Sequence, residues 1–194
     1  MKRDTGIVLE EYNPEWSRTF EQLKLIYQAC LQDLVLAIEH VGSTSVVGLA
    51  AKPILDIDLV VEDEATLKKV IIRLATLGYR HRGDLGIVGR EAFGRSSEKT
   101  LHVGSQREWP AHHLYACLKG STPLRNHLLF RDYLRTHPAK VNEYAQLKKH
   151  LVALYPTNID EYVAGKTGFI ISLLKESGIS QVEIERIIEQ NKVK

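Results

Sequence analysis

The sequence predicts a mixed α/β fold followed by a C-terminal helical module. Short apolar runs typical of strands alternate with amphipathic helical stretches over residues 1–119. Glycine, serine and proline then interrupt regular structure at Lys119–Pro123. After this break, apolar residues recur at spacings of three and four, which indicates helices. We therefore expect an α/β module at residues 1–119, with a helical module at residues 120–194 packed on it.

Local patterns predict the first elements. Ile7–Glu11 is compatible with a short strand, and Asn13-Pro14 ends it. Proline is tolerated in the first turn of a helix, because its missing N–H would have no partner there. The helix it opens has apolar residues at helical spacing from Trp16 to Leu31. Leu34–Val41 then predicts a strand that leads into a Gly-Ser loop.

The rest of the first module alternates in the same way. The apolar run at Ile54–Val61 predicts a strand, and Glu64–Leu77 predicts a helix that Gly78 closes. Leu101–Ala111 is interpreted as a loop or a frayed strand. Three further strands are predicted at Tyr79–Arg82, Ile87–Phe93 and His112–Leu118.

Four helices are predicted in the second module. Apolar spacing indicates one helix that ends near His137-Pro138 and a second that ends near Pro156. Asn158 with Glu161 forms a capping-box pattern before the third helix. Ser180 opens the last helix in the same way.

Composition limits the classes of function. The chain has 194 residues and a net charge of +2, too small to indicate a nucleic-acid partner by bulk electrostatics, although such a partner stays open. No apolar run reaches the roughly 18 residues that a membrane helix needs. Cys30 and Cys117 lie in apolar contexts, which favours buried free thiols. Because the N-terminus also has no signal-peptide run, we expect a cytoplasmic protein.

Two carboxylates form the most informative motif. Asp56 and Asp58 are separated by Ile57, so on a strand they share one face. Two such carboxylates repel each other unless water or a cation separates them, and Mg²⁺ (or Mn²⁺) prefers carboxylate and phosphate oxygens. The preceding Gly42-Ser43 loop offers backbone N–H donors and a hydroxyl to phosphates. A half-exposed strand with two acids facing water is the structural alternative, but the loop and its spacing favour a site.

These residues carry a family resemblance. Gly42-Ser43 followed by Asp56-Ile57-Asp58 resembles the signature of the polymerase-β-like nucleotidyltransferase superfamily. Within that superfamily, the stretch Ile38–Ile54 resembles the GrpB family, as do His112–Tyr115 and Leu129–Arg135. The resemblance implies a nucleotidyltransferase-like mixed sheet flanked by helices, with a C-terminal helical bundle. It also implies transfer of a nucleoside monophosphate from a nucleoside triphosphate to an unknown acceptor. Some members of the family are fused to a kinase of coenzyme A biosynthesis.

The third carboxylate that the superfamily usually places on a later strand is not evident. The strand His112–Leu118 offers His113 and Tyr115 instead, and we predict His113 as a metal ligand beside Asp56 and Asp58. Four explanations stay open: one bound metal ion, a different ion, Glu91 or Glu39 as the third acid, or lost catalysis.

Several cations are candidates for phosphate binding. Lys52 precedes the aspartate strand, and Arg131 and Lys166 lie on predicted helices of the second module. Arg90 and Arg95 are further candidates, because guanidinium groups bind phosphate in a bidentate manner. Solvated surface positions are the alternative for each.

Two hypotheses of different class follow. The first is a metal-dependent nucleotidyltransferase, in which Asp56 and Asp58 bind Mg²⁺ and the Gly42-Ser43 loop holds phosphates. The second is a non-catalytic module of the same fold that binds a nucleotide or a coenzyme-A-related ligand. An RNA-binding adaptor is disfavoured, because the net charge is small and no aromatic–basic cluster is present.

Overall fold

A computed structural model describes residues 6–96, 100–101 and 108–192. Within these residues, the strands are β1 (Ala37–Val41), β2 (Leu55–Val61), β3 (Tyr79–His81), β4 (Arg90–Arg95) and β5 (His112–Leu118). The helices are α1 (Glu15–Leu31), α2 (Glu64–Thr76), α3 (Thr122–Thr136), α4 (Pro138–Leu154), α5 (Ile159–Glu176) and α6 (Gln181–Lys192).

The strands form one mixed sheet in the order β1-β2-β5-β4-β3. The neighbours β2 and β5 are parallel, and the other neighbouring pairs are antiparallel. In the parallel pair, Asp56 lies beside His113 and Asp58 lies beside Tyr115. Since neighbouring residues in register point to the same side, these four side chains share one sheet face.

The opposite face of the sheet carries the main hydrophobic core. Ile57 and Leu59 of β2 are fully buried there against apolar residues of α1 and α2, including Leu23. Tyr27 and Tyr79 meet in this layer, with 2.6 Å between their hydroxyl oxygens, and both bond to buried His112. The alternation of β5 therefore sends His112 into the core and His113 to the face of the aspartates.

The second module covers the aspartate face. Val46 and Leu49, which follow the Gly-Ser loop, pack against α3, α4 and α5 in a separate apolar cluster.

The predicted capping residues act as expected: Asn158 accepts a hydrogen bond from the Glu161 backbone N–H at 3.2 Å. Ser180 and Glu183 exchange reciprocal hydrogen bonds at the start of α6.

The fold class is confirmed, while one predicted strand does not form and two strands begin three residues later than predicted. Ile7–Glu11 provides only the single bridge between Glu10 and Ala51. β1 begins later than expected, because Gln32–Leu34 forms a 3-10 turn before it. β4 begins at Arg90, because the backbone N–H of Arg90 bonds to Ile87 in a tight turn.

Other predictions are not decided by the fold. Residues 102–107 of the predicted loop Leu101–Ala111 lie outside the described residues. The module boundary at residues 119/120 falls in the turn between β5 and α3, and stays a prediction. No helix among the described residues has the length and apolarity needed to cross a membrane.

Candidate functional site

The aspartate pair lies on β2, the second of the five strands, with β1 on one side and β5 on the other. Asp58 is completely buried, and its Oδ2 lies 2.7 Å from Nδ1 of His127 on α3. Asp58 Oδ1 is also buried but has no hydrogen-bond partner. A buried, unpartnered carboxylate oxygen is costly unless a ligand or an ion satisfies it. Asp58 thus has one oxygen held by His127 and one buried oxygen without a hydrogen-bond partner.

Asp56 is half-buried and lines two adjacent cavities. Burial raises the pKa of its carboxyl group, and the nearby Asp58 raises it further. His113, His127 and Lys166 act in the opposite direction. Taken together, these effects leave the negative charge of the Asp56 carboxylate incompletely compensated by the protein. Such a carboxylate favours the binding of a cation.

The loop at residues 42–45 approaches Asp56 so closely that only glycine fits. Gly42 has φ 68° and ψ −170°, a region that is essentially restricted to glycine. A Cβ atom on Gly42 would lie 2.9 Å from Cγ of Asp56 and would overlap with its Oδ2. The backbone of the loop therefore forms one wall of the aspartate site, and Ser43 lines both cavities.

This loop is held in place by several hydrogen bonds. The Ser45 hydroxyl donates to the Gly42 carbonyl at 2.7 Å, and His40 Nε2 lies 3.0 Å from the Thr44 hydroxyl. The Arg135 guanidinium donates twice to the Ser45 carbonyl, at 3.1 and 2.9 Å. Burial, with Arg135 and Arg131 nearby, lowers the pKa of His40 to about 4, so its imidazole is neutral at physiological pH. A rigid loop is the kind of phosphate cradle that needs little reorganisation on binding.

The first cavity, which we call the lysine chamber, has a volume of about 350 Å³. The sheet supplies Asp56, His113 and Tyr115 to its lining, and the loop supplies Ser43 and Thr44. Three lysines from separate parts of the chain converge on it: Lys52, Lys148 and Lys166.

Two of these lysines are strongly perturbed by their surroundings. Burial, with Lys166 nearby, lowers the pKa of Lys148 to about 7. Burial, with Lys52 nearby, lowers the pKa of Lys166 to about 8. Lys148 is 2% exposed, donates to the Ala50 carbonyl, and lies over the Tyr144 ring at 4.5 Å. Clustered cations that repel one another are the electrostatic complement of a polyanion.

The structure separates the candidates for a third metal ligand. Glu91 points to the opposite face of the sheet, where its Oε2 lies 2.5 Å from Nε2 of His81. Glu39 lies beside Asp58 in register and on its face, but it forms an ion pair with Arg131 at 2.6 Å. His113 is exposed and lies next to Asp56. In the described part of the chain, no three His, Cys, Asp or Glu side chains form a cluster able to hold a metal ion.

The two aspartates nevertheless fit one hard divalent cation. Asp58 Oδ1 lacks a partner, and Asp56 lies at the same face with incomplete compensation of its charge. Mg²⁺ is typically bound by one or two carboxylates, with waters and substrate phosphates completing its shell. The donor set therefore suits a single ion that is held jointly with a phosphate ligand, and metal binding stays a prediction.

The predicted arginines have other contacts. Arg131 is held by Glu39 and Asp132, and it is not among the residues that line the two cavities. Arg95 donates to the backbone carbonyls of Trp109 and Pro110. Lys52 and Lys166, by contrast, lie in the lysine chamber, so the structure brings them together with Asp56 and Ser43.

Two residues of the site were not singled out by the sequence. His127 bonds to Asp58, and Lys148 lines the lysine chamber. The signal was present in both cases, because each polar residue lies on the apolar stripe of its helix. His127 follows buried Leu124 by three positions, and Lys148 follows buried Tyr144 by four.

Comparison with known proteins identifies the family. The model of the family described as "GrpB protein" matches residues 6–176. The chain belongs to the GrpB family.

Relatives and a solved structure agree with this assignment. UPF0157 protein YqkA of Bacillus subtilis is 36% identical over 87% of the chain, which spans 46% of that relative's length. Glutamate-rich protein GrpB of Alkalihalophilus pseudofirmus is 31% identical over 88% of the chain and 95% of its own length. The crystal structure of the conserved protein GrpB from Enterococcus faecalis superimposes with a TM-score of 0.73. It is 33% identical and covers 88% of this chain and 96% of its own. The predicted family is thereby confirmed, together with its mixed α/β architecture.

Proposed function

We propose that this GrpB protein is a metal-dependent nucleotidyltransferase that moves a nucleoside monophosphate from a nucleoside triphosphate to an acceptor. The observation that supports the proposal is the position of Asp56 between a lysine-lined chamber and the Gly42-Ser43 loop. The buried and unpartnered Oδ1 of Asp58 lies on the same strand face.

The lysine chamber takes the triphosphate in this proposal. A triphosphate carries several negative charges, and Lys52, Lys148 and Lys166 from three separate parts of the chain line the chamber that receives it. Ser43 adds a hydroxyl, and the loop adds backbone N–H groups. Because the lysines repel one another before a ligand arrives, binding a polyanion relieves that repulsion.

The reaction joins an acceptor oxygen to the α-phosphorus and breaks the bond from that phosphorus to the β-phosphate bridge. Pyrophosphate leaves, and the proton of the acceptor hydroxyl is released to water. A Mg²⁺ ion held by Asp56 and Asp58 would neutralise charge on the phosphate oxygens. His127 holds Asp58 through Oδ2, which leaves Oδ1 without a hydrogen-bond partner. The lysines stabilise the negative charge that develops on the leaving pyrophosphate. The cytoplasm, where we expect the protein, supplies nucleoside triphosphates.

The test uses nucleoside triphosphates labelled at the α-phosphorus, with Mg²⁺ or Mn²⁺ and a mixture of cellular small molecules as acceptors. Label should be transferred by the wild type, and Asp56→Asn and Asp58→Asn should abolish transfer. Asp84→Asn is a matched control, since Asp84 lies in an exposed turn outside both cavities. Transfer that persists in both aspartate variants would refute this assignment of the site.

A specific observation supports a second candidate function. Asp58 gives one oxygen to His127, and no third acid joins the pair among the described residues. A site built this way suits a module that binds a nucleotide or a coenzyme-A-related ligand without turnover. Equilibrium dialysis with a triphosphate separates the two functions: binding without transfer of label under any acceptor condition favours the binding module.

A further inference from the structure

A second cavity lies on the other side of Asp56 and differs sharply in chemistry from the lysine chamber. It has a volume of about 300 Å³, shares Ser43 and Asp56 with its neighbour, and is also lined by Gly42. Most of its remaining lining is apolar: Ile87, Pro123, Phe130, Ile170, Leu174 and Ile187. We call this cavity the apolar chamber. Only a few polar groups interrupt its wall, namely Arg90, Asn126, His127 and the hydroxyl of Tyr144.

Arg90 is the notable group in this wall. Its side chain is buried, with 8% of the residue exposed, and no carboxylate of the described residues lies within ion-pair distance of it. Its Nε has no hydrogen-bond partner, and its guanidinium lies 4.3 Å from the centre of the Tyr115 ring. Arg131 shows the usual arrangement for comparison, because its half-buried guanidinium contacts two carboxylates. A buried cation without a counter-ion is costly to the fold.

A second unpartnered group lies in the same wall. The side-chain amide oxygen of Asn126 is buried and accepts no hydrogen bond. Arg90 and Asn126 both line this cavity, and each has one buried side-chain atom, Nε and Oδ1 respectively, without a hydrogen-bond partner. Such a combination is typical of small-molecule sites, in which a few polar groups orient an otherwise apolar ligand.

We propose that the apolar chamber binds a small molecule with an apolar body and a single oxyanion head, which is held by Arg90. Guanidinium groups bind carboxylate and phosphate in the same bidentate way, so both heads are compatible. Among the described residues that line the chamber, the only other basic group is His127, which is engaged by Asp58. The chamber thus suits one oxyanion, whereas the lysine chamber suits a polyanion.

The position of the chamber gives this ligand a role, which rests on the proposed function. Asp56 and Ser43 line both cavities, so a molecule in the apolar chamber reaches the same carboxylate as a triphosphate in the lysine chamber. The ligand is then the acceptor, and a hydroxyl at the end remote from its oxyanion approaches the α-phosphorus. That acceptor is a small amphipathic molecule and not a nucleic-acid strand, whose repeated charges an apolar cavity would exclude.

Binding is tested without any nucleotide, so that it stands apart from catalysis. Hexanoate, hexyl phosphate and 1-hexanol are titrated into the full-length protein, and binding is followed by ligand-observed NMR. Hexanoate or hexyl phosphate should bind and hexanol should not. Arg90→Gln should weaken binding of the oxyanion probe by about ten- to a hundredfold, as expected for the loss of a charge-assisted hydrogen bond. Arg80→Gln, an exposed arginine of the same sheet, should leave binding unchanged.

Stability provides a check that the variant folds. Because no carboxylate of the described residues lies within ion-pair distance of Arg90, Arg90→Met should unfold at the same temperature as the wild type or above it, without ligand. Equal binding of hexanol and hexanoate, or full binding by Arg90→Gln, would overturn the inference, as would a large loss of stability in Arg90→Met. If the protein transfers no nucleotide but still binds hexanoate through Arg90, the proposed nucleotidyltransferase function is refuted. The assignment of the apolar chamber as an oxyanion site would still stand.

Discussion

Replacing Gly42 by alanine tests how the loop shapes the aspartate site. At φ 68° and ψ −170°, a residue with a Cβ atom costs about 1–3 kcal/mol. The new Cβ would also lie 2.9 Å from Cγ of Asp56, so the carboxylate has to move by about 1 Å to reach ordinary contact distance. Displacements of about 1 Å at a reacting centre cost roughly a hundredfold in rate. We therefore expect Gly42→Ala to lower both the free energy of unfolding and nucleotidyl transfer.

Gly48→Ala is the matched control for this change. Gly48 also has a positive φ, of 80°, but a Cβ atom there meets nothing within 4 Å. Urea unfolding should show a loss of about 1–2 kcal/mol for the control. The transfer assay, together with equilibrium dialysis of a triphosphate with Mg²⁺, should then show a defect only in Gly42→Ala. If the two variants transfer label and bind the triphosphate equally well, the contact between the loop and Asp56 does not contribute to function.

Three further outcomes test the electrostatics of the site. Lys166→Met should weaken triphosphate binding by about ten- to a hundredfold in equilibrium dialysis. Lys149 is exposed, and Lys149→Met should leave triphosphate binding unchanged. Equal triphosphate affinities of the two variants would contradict the assignment of the triphosphate to the lysine chamber. The pKa of Lys148 is lowered from 10.5 to about 7, so between these pH values the unfolded chain binds more protons than the folded chain. The free energy of unfolding should therefore rise with pH across that window. Lys148→Met should flatten this rise in urea unfolding, and an unchanged slope would refute the shift. Burial opposes the charge on His127, but Asp58 raises the pKa of its imidazole overall. The stability lost in His127→Asn should therefore be greatest below pH 6.5 and should shrink as the pH rises above it. A loss of stability that grows with pH would contradict the pairing of His127 with Asp58.

The sequence predicted those parts of the site that depend on local pattern. Asp56 and Asp58 share a face because a strand alternates, and β5 was found at its observed limits because its apolar run is bounded by turns. Capping at Asn158 follows from neighbours in the chain. Such features need no knowledge of which elements pack together.

The missed parts depend on packing between distant elements. His127 meets Asp58 across 69 positions, and Lys148 reaches Ala50 across 98. Arg90 was considered only as a phosphate contact, because its isolation from carboxylates exists only in three dimensions. A polar residue on the apolar stripe of a helix is the one local trace that such contacts leave, and it marks His127 and Lys148 alike.

The position of β2 between β1 and β5 indicates which part of the molecule can move during a binding cycle. Its backbone is bonded to β1 on one edge and β5 on the other, so its amide hydrogens should exchange with solvent only through global unfolding. Ligands therefore cannot enter by an opening of the sheet. The opposite walls of both chambers are helical, with Tyr162 and Lys166 of α5 on one side and Ile187 of α6 on the other. We therefore predict that ligand binding slows hydrogen exchange in α5 and α6 far more than in β2.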